Sequence, residues 1–158
     1  MKADVQLIEG ARRQHMLVTA ADALKVMGRE AWQRQQDSGY WLQVAPGWFR
    51  HAATPLTFEM QVWAGAAWLG RRGALYGSSA LRWLGVDVDE PPTAEFLVPR
   101  GRRSIRSLVL HTTTRWDEAD VIRHRGVRTC NGTRALIDHA ASCRAAAPLE
   151  QAIDSAIR

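Results

Sequence analysis

An α+β fold is predicted by three features of the 158-residue sequence. Apolar residues recur at helical spacing before residue 40 and again from Thr57 to about Arg71. The period then shortens to that of strands at Ala94–Val98 and Leu108–Thr113, and returns to helical after Asn131. Between the two helical stretches, aromatic and β-branched runs flank Pro46-Gly47 and read as a small hairpin.

Composition bounds the class. Hydrophobic residues make up 46% and charged residues 23%, ordinary for a soluble globular protein, and seven tryptophans argue against disorder. Lys and Arg total 21 against 16 Asp and Glu, a net charge of +5, and only Lys2 and Lys25 are lysine. The arginine fork suits phosphates and guanine edges. A basic balance permits nucleic-acid binding without establishing it, and a GC-rich genome would give the same arginine usage. Cys130 and Cys143 have no metal-ligand spacing. The N-terminus has no apolar run of signal-peptide length. The longest apolar stretch, Met60–Leu69, is far shorter than a membrane span and is closed by Arg71-Arg72. A cytoplasmic protein without membrane contact is expected.

Asp4 to His15 reads as a helix with Leu7, Ile8 and Ala11 on one side, followed by an extended piece at Met16–Val18. Thr19 opens a second helix with Asp22 at the capping-box position, where Glu or Gln is the better partner. Ala23, Leu24 and Met27 form its apolar side, and Gly28 ends it. A third helix, Arg29 to Ser38 with Gly39 as its stop, has only Ala31 and Trp32 as strongly apolar residues. A helix with one thin apolar edge and Arg and Gln outward suits insertion into a groove. Tyr40–Ala45 and Trp48–Arg50 form the hairpin, with Trp41, Trp48 and Phe49 as core. Helix, helix, turn, helix, hairpin is the order of a winged helix-turn-helix, so residues 1–52 are expected to be a DNA-binding domain.

A link at residues 51–56 leads to a second domain, 57–158, expected to be a small mixed α/β unit. Its first helix carries Phe58, Val62, Ala66 and Leu69 on one stripe. Ala74–Tyr76 is extended, Ser78 or Ser79 caps a helix through Leu84, and Gly85 stops it. The strands Ala94–Val98 and Leu108–Thr113 are joined by a basic stretch read as a turn. Val121–Ile122 and Val127–Thr129 add two short strands. Asn131 or Thr133 caps a helix to Ser142, and Pro148 starts the last one, with Leu149, Ala152, Ile153 and Ala156 inward.

In a helix-turn-helix the third helix enters the major groove, so Arg29, Gln33 and Arg34 are the candidates for base or nearby phosphate contacts, with Gln36 on the Trp32 side or at the edge. Arg50, at the base of the hairpin, would contact the backbone. Arg100, Arg102, Arg103 and Arg106 form a second basic cluster that suits either phosphate or solvent. Each position has the alternative reading of a solvated face. Catalysis lacks a signature: there is no HExxH, Walker loop or GxGxxG, and Gly-Ser-Ser-Ala is not a nucleophile elbow. No catalytic residue, metal or cofactor is expected. Cys130 reads as a small buried thiol, and Arg134 with Asp138, four apart, as an exposed ion pair of a few tenths of a kcal/mol, roughly.

The order of several segments resembles the AbiEi-type antitoxins, transcriptional regulators of type IV toxin–antitoxin systems. It is also similar to the N-terminal half of related proteins that continue into an endonuclease-like domain. The segments are 11–19 (ARRQHMLVT), 38–50 (SGYWLQVAPGWFR), 74–85 (ALYGSSALRWLG), 96–100 (FLVPR), 127–138 (VRTCNGTRALID) and 149–158 (LEQAIDSAIR). The resemblance implies a winged helix-turn-helix followed by an antitoxin domain that represses its own operon and counters a nucleotidyltransferase-type toxin. By position it puts Arg29, Gln33 and Arg34 on the family's DNA-reading helix and 100–106 in a stretch that is often Arg-rich. Met16 stands where a Gly is usual, and Gln36 where an apolar residue is usual. Double-stranded DNA of its own operator is therefore the expected partner, with a homodimer as an expected assembly. Two rival readings remain: the DNA-binding half of a nuclease-like protein, from which no catalytic residue carries over, and a protein-interaction module whose Arg face meets an acidic partner.

Overall fold

A computed structural model describes residues 2–101 and 104–158. The described chain is mixed α and β, with helices and two sheets. It divides into two compact units, Met1–Trp68 and Leu69–Arg158. The helix expected to open the second domain thus falls, but for its last residue, in the first unit.

The first unit begins with α1 (Lys2–Arg12), β1 (Val18–Thr19), α2 (Ala20–Met27) and α3 (Arg29–Asp37). It continues with β2 (Trp41–Ala45), β3 (Trp48–His51) and α4 (Phe58–Leu69). The strands form an antiparallel sheet in the order β1-β3-β2. α1 ends three residues before His15 because the chain turns sharply, with His15 at φ 55° and Met16 at φ 61°. That left-handed region costs a side-chain-bearing residue about 1–2 kcal/mol, which gives a physical reason for the glycine usual in the resembled family at position 16. The Met16 N–H closes the turn on the Ala11 carbonyl at 2.8 Å.

Thr19 caps α2 as expected, its Oγ1 accepting from the Asp22 N–H at 3.0 Å. The short Asp22 carboxylate accepts the Thr19 hydroxyl at 2.7 Å, a local closure of the cap. Leu24, expected inward, is 40% exposed; Ala23 is buried, and Val26 and Met27 pack on the core with it. Gly28, at φ 78°, turns the chain directly from α2 into α3. The hairpin closes on Pro46-Gly47, with Gly47 at φ 79° and Ala45 opposite Trp48. Trp41 and Phe49 are core as expected, but Trp48 is only half-buried. The core joins Leu7, Ala11, Val18, Ala23, Trp32, Trp41 and Phe49. On α4 the expected single stripe is overturned: Met60, Gln61, Val62, Ala64 and Leu69 are buried, while Phe58 and Ala66 are half-buried. A helix buried on more than one side loses its one-stripe signature.

The second unit contains β4 (Ala74–Leu75), α5 (Gly77–Trp83), β5 (Ala94–Pro99) and β6 (Leu108–Thr113). β7 (Val121–His124), β8 (Val127–Cys130), α6 (Gly132–Ser142) and α7 (Ala146–Ile157) complete it. Its sheet runs β6-β5-β4-β8-β7. Leu110, Phe96, Leu75 and Thr129 form one row across four strands, and all are buried. Each large apolar member contributes about 1.5–3 kcal/mol by leaving water. Thr129 joins the row because its hydroxyl donates to the Val127 carbonyl at 3.2 Å.

Several sequence expectations are corrected here. β5 and β6 pair in parallel, so their connection is not the simple turn expected between the two strands. Close to β6 the chain turns tightly, Ile105 and Leu108 exchanging backbone hydrogen bonds at 3.1 and 3.2 Å. Neither Ser78 nor Ser79 caps α5, whose N-cap is Tyr76; buried Ser79 instead accepts the Glu95 N–H at 3.0 Å. Asn131 does cap α6, accepting from the Arg134 N–H at 2.9 Å. On α7 Ala152 is buried and Leu149 half-buried, but Ile153 and Ala156 face solvent. The Arg134–Asp138 pair is not exposed: Asp138 is buried, and Arg134 donates to it at 2.8 Å and to Asp120 at 3.0 Å.

Candidate nucleic-acid interface

α3 is fixed by its inner edge. Trp32 is buried against Phe49, edge-on at 5.0 Å between ring centroids, and near Trp41 at 5.9 Å. Gln35 does what an apolar residue would otherwise do there. Its Oε1 accepts the Trp41 indole N–H at 2.9 Å, and its Nε2 donates to Asp4 at 2.6 Å. One amide thereby ties α1, α3 and β2 and satisfies a buried indole that would cost about 1–3 kcal/mol unpaired. This explains how a helix with so little apolar surface stays docked. Sequence reading counted Gln35 only as polar; its place three residues after the anchoring Trp32 was the available signal. Gln36 is half-buried, at the edge as expected.

Arg29, Gln33 and Arg34 are all exposed. At about 100° per residue, Arg29 and Gln33 share one flank of α3, and Arg34 lies about 100° beyond Gln33. Glu30 and Asp37 fall between them, so the outward face is a mixed pattern of charge rather than a basic stripe. Gln33 Nε2 donates to Asp37 at 2.9 Å. A Gln reading adenine needs both its amide groups, so Asp37 competes for that contact.

The hairpin turn lies beside the start of α2: the Gly47 carbonyl accepts the Ala20 N–H at 2.9 Å. Pro46 and Gly47 are exposed there, but neither is a cation. Arg50, expected at the backbone of DNA, directs Nη1 to the carbonyls of His51, Ala52 and Thr54. It braces the link after the hairpin.

The second basic cluster is not one cluster. Arg100 follows the end of β5, while Arg106 precedes the start of β6. With β5 and β6 parallel, the two lie at opposite ends of the sheet, about 17 Å apart by strand rise. Arg102 and Arg103 lie outside the described residues.

Elsewhere, one polar group joins β5, β6 and the start of α5. His111 Nε2 meets Glu95 Oε2 at 2.6 Å, and the Tyr76 ring stacks on His111 at 4.2 Å. Burial, then the charge of Asp138, pushes the Tyr76 phenol up, so it stays protonated at neutral pH. Cys130 is buried and its thiol is pushed up to about 12 by burial first and Asp138 next, the opposite of an activated nucleophile. Among the described residues no group of three or more His, Cys, Asp or Glu is arranged to hold a metal ion. No described helix is long and apolar enough to cross a membrane.

No family model and no curated protein matches this chain. Among solved structures it is similar to the RV2827C protein from Mycobacterium tuberculosis, with a TM-score of 0.59 and 17% sequence identity. The likeness covers 87% of this chain and 60% of that chain, and at this identity it concerns the fold alone.

Proposed function

We propose that this chain is a transcriptional regulator that binds double-stranded DNA, with a winged helix-turn-helix in its first unit. The observation that carries the reading is α3. It is a nine-residue helix anchored by one tryptophan and one glutamine, and it turns Arg29, Gln33 and Arg34 to solvent. It follows α2 through the single residue Gly28, and it is followed by a hairpin whose β3 pairs with β1. Helix, strand, two helices and hairpin in that order present a helix to a major groove with the hairpin beside it. Arg50 is a brace in this reading, and Arg29, Gln33 and Arg34 carry the contacts.

The resemblance to AbiEi-type antitoxins supports a narrower form. The DNA is then the chain's own operator, repression is steric, and the chain counters a nucleotidyltransferase-type toxin. The regulatory part is tested by the preference of the full chain for duplex from upstream of its own gene over random-sequence duplex. Arg29→Ala and Gln33→Ala each lower that preference by about 1–3 kcal/mol if they read bases. A preference unchanged by both substitutions overturns the assignment of α3. The antitoxin part is tested by co-expression with the toxin encoded beside the gene: restored growth supports it, and unrelieved toxicity removes it.

A further inference from the structure

The positive charge of the chain is not where α3 is. The first unit carries seven Lys and Arg against six Asp and Glu, a net +1, and the second carries fourteen against ten, a net +4. Within the second unit four of the ten carboxylates pair with arginine. Glu90 pairs with Arg82 at 2.7 Å, Glu118 with Arg128 at 2.8 Å, and Asp120 and Asp138 both with Arg134.

Strand direction shows where several of the remaining arginines collect. At the end of the sheet where β5 and β6 finish, Pro99 lies beside Thr113, so Arg100 and Arg115 leave the sheet there. β4 runs antiparallel to β5 and therefore starts at this end, with Arg71 and Arg72 on the 3-10 turn (Gly70–Arg72) that leads into it. β8 is parallel to β4, and the turn Arg125-Gly126 joins it to β7 at the same end. α5 leaves the far end of β4 and returns here. Its last residue, Trp83, donates to the His124 carbonyl at 3.0 Å and lies 4.7 Å from the Arg125 guanidinium. Four separate connections thus bring arginine to one sheet end.

Arg71, Arg72, Arg100 and Arg115 are exposed, and among the described residues none has a carboxylate within ion-pair distance. Arg71 is near enough to Glu118 to help hold its carboxyl low, but the Trp116 indole and Arg128 already supply that carboxylate's hydrogen bonds. β4, β5 and β6 are adjacent strands, so these guanidinium-bearing segments begin about 5–10 Å apart. That is within a Debye length at physiological salt, where like charges repel unless an anion lies between them.

We propose that this sheet end is a second contact surface for duplex DNA, one that neutralises backbone phosphates irrespective of sequence through Arg71, Arg72, Arg100 and Arg115. It rests on the regulator reading for the identity of the polyanion, and it deepens that reading by separating the source of affinity from the source of selectivity. Arg106, at the other end of the sheet, has no part in it.

The test uses the full chain and random-sequence duplex DNA, with affinity measured over a range of salt concentration. Replacing all four arginines with alanine makes the slope of log affinity against log salt shallower by about 0.9 for each lost phosphate contact, up to about 3.6. The pairs Arg71→Ala/Arg72→Ala and Arg100→Ala/Arg115→Ala each remove about 1.8 and serve if the fourfold variant does not fold. The fourfold lysine variant keeps the slope, because lysine keeps the charge. Arg106→Ala leaves it unchanged. A wild-type slope in the paired alanine variants overturns the proposal, and so does an equal loss in Arg106→Ala or no binding of random duplex at low salt. Failure of the α3 reading is separate. A flattened slope, with selectivity unmoved by Arg29→Ala and Gln33→Ala, keeps this surface and removes base reading by α3.

Discussion

The two units distribute their charge and build their cores in opposite ways. The first is almost neutral, is organised around aromatic rings, and shows on α3 an alternation of Arg, Glu, Gln and Asp. The second holds the surplus charge, is organised around a buried row across four strands of a sheet, and gathers arginine from four connections at one sheet end. A surface that discriminates needs donors and acceptors in a pattern, and net charge alone gives it no selectivity. A surface that holds a polyanion needs charge, and a pattern adds little. In the proposed regulator, the division between units means that neither role has to compromise the other.

The core contrast gives the largest expected effects. Trp32→Ala should remove about 3–5 kcal/mol from the first unit, and Phe96→Ala a similar amount from the second. Denaturant unfolding followed separately in each unit should show one transition shifted by each substitution. Equal shifts of both transitions by either substitution would merge the units into one cooperative body and break the comparison. Gln35→Ala comes next, at about 1–3 kcal/mol, since it strands the Trp41 indole N–H and removes one hydrogen bond to Asp4. Its effect should appear in the first transition only.

Cys130 sharpens the contrast from the other side. Its folded thiol ionises near 12 and an ordinary one near 9.0, so the unfolded state loses its proton first as pH rises. The contribution of Cys130 to the stability of the second unit is therefore intact below pH 9 and falls between 9 and 12, by at most about 1.4 kcal/mol per pH unit. Native protein should give one fast-reacting thiol, the half-buried Cys143, and a second only on unfolding. Two fast thiols would show the β8 region to be open. The smallest effect is a gain: Met16→Gly relieves a φ of 61° and should stabilise the first unit by up to about 1 kcal/mol, read as a raised midpoint.

Much of this was legible in the sequence because it was local. Thr19 and Asn131 announce helix starts through side chains that reach their own first turn, and Gly28, Gly39 and Gly85 announce stops through backbone only they tolerate easily. Trp41 and Phe49 were placed in the core by their hairpin. The misreadings concern pairing over distance. The basic stretch between two strands reads as one turn, yet β5 and β6 are parallel, and this separates Arg100 from Arg106. The same register brings Arg71, Arg72 and Arg115 to Arg100, although the sequence shows them only as a helix end and an isolated cation. Ser79 looks like a cap from its neighbours and is a buried acceptor because of a strand sixteen residues on. Asp138 looks exposed from its spacing to Arg134 and is buried in a network with Asp120.

The central claim is that selectivity and affinity have different seats, and one measurement addresses it directly. Affinity of the unaltered chain is determined for its upstream duplex and for random duplex over a range of salt. The account predicts two steep lines of nearly equal slope, offset by a preference for the upstream duplex, because the phosphate contacts are common to both and base reading is not. Coincident lines, or a shallow dependence on salt for both, would contradict it.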